Sequence, residues 1–131
     1  MGLQLQITGV LFIALAFIHL IFPKYFNWEK ELQTLSLINR QLMWVHTVFI
    51  ALMVFLMGLL CITSSHELIE TDLGQKISLG LAIFWTVRLL FQFFGYSSQL
   101  WKGKAFETAV HIVFSLFWLY ISALFWIIYF N

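Results

Sequence analysis

Charged side chains divide the chain into apolar runs of similar length. None falls between the first residue and Lys24, between Arg40 and Glu67, or after Glu107. From Lys76 to Lys102 the only interruption is Arg88. A helix needs about 20 apolar residues to cross roughly 30 Å of hydrocarbon, and every run is long enough. The pattern predicts four membrane-spanning helices, at about 3–22, 40–63, 75–97 and 105–129. Runs this long and uniform do not read as the alternating strands, each about ten residues, of a membrane barrel.

Punctuation between the runs completes the expected fold. Pro23 stands where the first helix should stop. The segment 27–36 reads as a short interfacial helix with Asn27 as its cap. Ser64 and Glu67 are three apart, a capping-box spacing, and the loop 97–104 contains Gly103. No repeat or linker breaks the chain. The expectation is an all-α integral membrane four-helix bundle, up-down-up-down, forming one domain over 1–131. The first run lacks a basic leader and a small-residue cleavage site, so it reads as a retained span.

Composition removes the other classes. Of the 131 residues 62% are hydrophobic, 19% aromatic and 10% charged, with a mean hydropathy of +0.92. A soluble domain carries about 25% charged residues, so a soluble enzyme, a nucleic-acid binder and a disordered chain are excluded. A single Cys forbids an internal disulfide, and a net charge of +1 implies no polyanionic partner. Lys24, Lys30, Arg40, Lys102 and Lys104 flank one set of loops, and only Lys76 lies on the other. The positive-inside rule then predicts a multi-pass protein of the bacterial inner membrane with both termini outside the cytoplasm.

Ionisable and strongly polar groups within the runs are His19, His46, Arg88, Gln92 and His111. Counted from the nearest cation, the three histidines fall roughly 7–11 Å below the cytoplasmic face. The 100° helical step gives expected inward stripes. These are Gly9, Phe12, Ala16 and His19 on the first span, and Asn39, Met43, His46, Ile50, Met53 and Met57 on the second. The third span carries Leu81, Trp85, Arg88, Gln92 and Gln99. The fourth carries Lys104, Thr108, His111, Ser115, Trp118 and Ser122.

Three functions fit such a layer. Histidines from facing helices are a usual axial pair for haem b. His46 and His111 would be the ligands, His19 a third ligand or supporting group, and Arg88 a propionate partner. Electron transfer or another membrane redox step would follow, with a quinone or lipid as substrate. A single Zn, Fe or Cu ion on His19, His46, His111 and Glu107 is the compact alternative, in a non-haem enzyme acting on a lipid. In the third, the histidines only tie helices together in a membrane subunit or transporter component. Its partner would be a second copy or a membrane complex. Tyr25, Trp28, Tyr96, Trp101, Trp126 and Tyr129 read as interfacial anchors, and Cys61 as a buried small residue.

Overall fold

Local capping explains where the helices begin. The computed structural model describes residues 2–95 and 103–130. Tyr96, Gln99, Trp101 and Lys102 lie outside them. All regular structure in the described residues is helical: α1 (Gly2–Tyr25), α2 (Trp28–Glu31), a 3-10 turn (Leu32–Thr34), α3 (Leu37–Thr63), α4 (Ser65–Glu70), α5 (Asp72–Phe94) and α6 (Ala105–Phe130). Four of these, α1, α3, α5 and α6, are long and apolar enough to cross a membrane. The chain divides into two compact units, Met1–Ser65 and His66–Asn131.

In the first unit α1 packs on α3. Pro23 does not stop α1 but lies inside it, and the helix runs on to Tyr25. Proline removes only the donor that would meet the His19 carbonyl, and later amides still bond, the Phe26 amide to the Phe22 carbonyl at 2.9 Å. Asn27 is not a side-chain cap. It adopts left-handed backbone angles, φ 54° and ψ 51°, and makes no side-chain cap bond. Asparagine tolerates that region, and its carbonyl accepts from the amides of Lys30 (3.2 Å) and Glu31 (2.9 Å). The side-chain cap is Ser36, whose Oγ accepts from the Asn39 amide at 3.4 Å.

The α1 face buries Leu5, Thr8, Gly9, Phe12, Leu15 and Ala16, and the α3 face buries Ala51, Val54, Gly58 and Cys61. Two glycines set their separation. A Cβ on Gly9 would lie 2.7 Å from the Gly58 carbonyl oxygen, and a Cβ on Gly58 would lie 2.7 Å from the Gly9 carbonyl oxygen. Each backbone occupies the space that a side chain on the other would need. Small residues allow this approach, and packing rather than hydrophobicity drives helix association in lipid. The α3 seam therefore differs from the expected stripe. Met43, His46, Ile50 and Met53 are exposed, and His46 falls about 100° around the helix from the seam centre.

In the second unit Thr71 supplies the side-chain cap of α5. Its Oγ1 accepts from the Gly74 amide at 2.9 Å and donates to the Glu67 carbonyl at 2.6 Å. A Cβ on Gly74 would strike that same carbonyl, so glycine lets α4 fold onto the first turn of α5. Ser78 then donates to the Leu68 carbonyl at 3.4 Å. Helix α5 ends at Phe94, three residues before the expected boundary, with Gly95 as its cap. Helices α5 and α6 run in opposite directions, pairing Trp85 with Trp118 and Gln92 with His111.

Candidate functional site

Aromatic stacking and a chain of polar groups occupy the same stretch of the α5–α6 hairpin. Trp85 and Trp118 stack with centroids 5.1 Å apart and planes 10° from parallel. Phe114 continues the stack at 5.8 Å from Trp118. The Arg88 guanidinium lies 4.9 Å above the Trp118 ring centroid, where the ring's negative face attracts it. Of the expected α5 stripe, Leu81, Trp85 and Gln92 are buried and Arg88 is half-buried. Trp126, expected as an interfacial anchor, instead donates its indole N–H to Thr86 Oγ1 at 2.9 Å.

The polar chain has a defined direction. Guanidinium groups only donate, so Arg88 Nη1 donates to Gln92 Oε1 at 3.3 Å. That leaves the Gln92 amide nitrogen facing His111 Nδ1 at 3.0 Å. An amide NH₂ also only donates, so His111 Nδ1 accepts and the neutral ring carries its proton on Nε2. Ser115 Oγ donates to the His111 carbonyl at 2.7 Å, and Phe93 meets the His111 ring edge-on at 6.0 Å. Glu107 is exposed, one turn before His111 on α6.

The first unit treats its histidines differently. His19 is half-buried at the end of the α1 seam, and its Nδ1 donates to the Leu15 carbonyl at 2.8 Å. Phe22 packs against the ring at 4.9 Å. The proton on Nδ1 leaves Nε2 with the lone pair, the form in which metal-bound histidines are usually held. The Gly9–Gly58 contact sets His19 level with the region of Val48. His46 stands about 3 Å nearer the loop end, but it is exposed and faces off the seam that His19 closes. His66 belongs elsewhere, with Nε2 2.9 Å from Glu70 Oε2 on an exposed face. Among the described residues no group of three or more His, Cys, Asp or Glu side chains is placed to hold a metal ion.

Sequence reasoning missed a cleft at the loop end of the α1–α3 hairpin, walled by Lys24, Trp28, Arg40 and Trp44. A signal was present: Lys24 and Trp28 are four apart, as are Arg40 and Trp44. Trp28, expected to face the interface, is only 8% exposed and meets Trp44 edge-on at 5.6 Å.

Four apolar helices of spanning length make the chain a multi-pass membrane protein. No family model, curated protein or solved structure matches it.

Proposed function

We propose that the chain is a non-enzymatic subunit or transporter component of the bacterial inner membrane, in which histidine serves as a helix fastener. In this reading the four spans form one up-down-up-down domain with both termini outside. Residues 28–34 lie along the membrane surface, and the partner is a second copy or a membrane complex. The Gln92–His111 hydrogen bond carries the reading. It links α5 to α6 and engages the lone pair on Nδ1, while the proton on Nε2 blocks the other nitrogen as a ligand. The test is protein purified from cells supplied with haem precursor and transition metals. A featureless visible spectrum and no stoichiometric metal are expected. His111→Ala should cost only about 0.6 kcal/mol of stability, the average for a membrane hydrogen bond. A Soret band or one equivalent of metal, lost on His111→Ala, would overturn it.

The His19 tautomer favours a second reading, a haem b or a single Zn, Fe or Cu ion. His19 Nε2 would be one ligand. Arg88 and Gln92 would then meet a propionate or an anionic substrate group. The chemistry would be a redox step with a quinone or lipid. In the non-haem form Glu107 would act as ligand or base on a lipid substrate. A Soret band that shifts on dithionite reduction and vanishes in His19→Ala would establish the haem form. Stoichiometric metal in a colourless protein would establish the other.

A further inference from the structure

We propose that the cleft at the loop end of the α1–α3 hairpin binds the phosphodiester headgroup of an anionic phospholipid. The cleft has a volume of ≈ 610 Å³, and its polar wall is Lys24, Asn27, Trp28, Glu29, Arg40 and Trp44. Its position matches a headgroup. Lys24 lies in the last turn of α1, a helix about 36 Å long at 1.5 Å per residue. That exceeds roughly 30 Å of hydrocarbon, so its end emerges among lipid headgroups. Trp28 and Trp44 suit the same depth, because indoles favour the membrane–water boundary. The left-handed turn at Asn27 swings α2 back so that Trp28 reaches Trp44.

Charge selects the ligand within that depth. Two cations and one carboxylate line the cleft, leaving a net charge of +1. A phosphodiester carries one negative charge and matches it. Inorganic phosphate near neutral pH is a mixture of monoanion and dianion, and Glu29 opposes the second charge of the dianion. Arg40 gives the binding its geometry. It lines the cleft, and the two terminal nitrogens of a guanidinium can pair with two oxygens of one phosphate. Lys24 adds a point charge, and Leu20, Pro23 and Leu32 give apolar walls for the glycerol and upper acyl chain. Basic pockets between spanning helices on the cytoplasmic side are where anionic headgroups bind.

Occupancy of this cleft is independent of either function proposed above. Native mass spectrometry of the full chain, released from micelles containing phosphatidylglycerol or phosphatidylcholine, tests it. Phosphatidylglycerol should stay bound and phosphatidylcholine should not. Arg40→Gln and Lys24→Gln should each lower its retention about tenfold, the change expected when one charge-assisted contact is lost. Lys30→Gln, outside the cleft, should leave retention unchanged. Should Arg40→Gln fail to fold, Lys24→Gln carries the test. Equal retention of the two lipids, or unaltered retention in both cleft variants, overturns the proposal. So does displacement of the lipid by millimolar inorganic phosphate, which would assign the cleft to a soluble anion.

Discussion

The two long hairpins solve the same packing problem by opposite means. In α1–α3 the contact is made by what is missing: Gly9 and Gly58 carry no side chain, and each backbone fills the other's vacancy. In α5–α6 the contact is made by bulk, with Trp85 stacked across it on Trp118 and Phe114 extending the stack along α6. Their histidines differ in the same sense. His19 bonds within its own helix, whereas His111 bonds across to the neighbouring one. A polar side chain holds helices together only where the surrounding side chains keep the backbones far enough apart for it to reach across. Where glycines bring the backbones together, the histidine at the seam's end turns back on a carbonyl of its own helix, that of Leu15.

The contrast is broken most severely at the glycines. Gly58→Leu should destabilise the first hairpin by about 3 kcal/mol, because the overlap is with backbone that cannot rotate away. Gly80→Leu in α5 has open space around it and should stay within about 0.5 kcal/mol of the parent. Thermal unfolding in detergent compares them directly, and equal stabilities would remove the glycine pair as the determinant of the seam.

Next in size is Trp118→Leu. It loses two ring stacks and the cation–π contact, together about 2–3 kcal/mol, and should lower the unfolding temperature. Gln92→Leu removes two polar links at roughly 0.6 kcal/mol each, so a cost near 1 kcal/mol is expected. His19→Ala should be the mildest, below about 0.6 kcal/mol, since its bond stays within one helix. Spectroscopy separates the two histidines without perturbing either hairpin. In ¹⁵N-histidine NMR of the neutral rings, His19 should carry its proton on Nδ1 and His111 on Nε2. The same tautomer at both positions would contradict the opposite hydrogen-bond directions of the two rings.

The spans were legible because charge is costly in hydrocarbon, so each gap between charges marks a helix. The α5 face was legible as well: Leu81, Trp85, Arg88 and Gln92 share one side, and a stripe that mixes bulk with polarity has few alternative partners. The α3 face was misread. Met43, His46 and Met53 drew the expectation through their chemistry, while Ala51, Gly58 and Cys61 won the seam through their size. Packing in lipid rewards close approach, a geometric property that hydropathy does not register. Helix ends failed for a backbone reason. Pro23 and Asn27 were read as a stop and a side-chain cap, whereas one acts through its missing amide and the other through a left-handed turn.

Each hairpin draws its packing from residues adjacent in the chain, with Ser65 closing the first unit. A ribosome adds about 5–20 residues per second, so synthesis of the second unit takes several seconds after the first is complete. During that interval Gly9 can already meet Gly58, and nothing in their seam waits for residues not yet made. Biogenesis can therefore proceed in two installments, with an early error in the glycine seam present before the tryptophan stack exists to compensate for it.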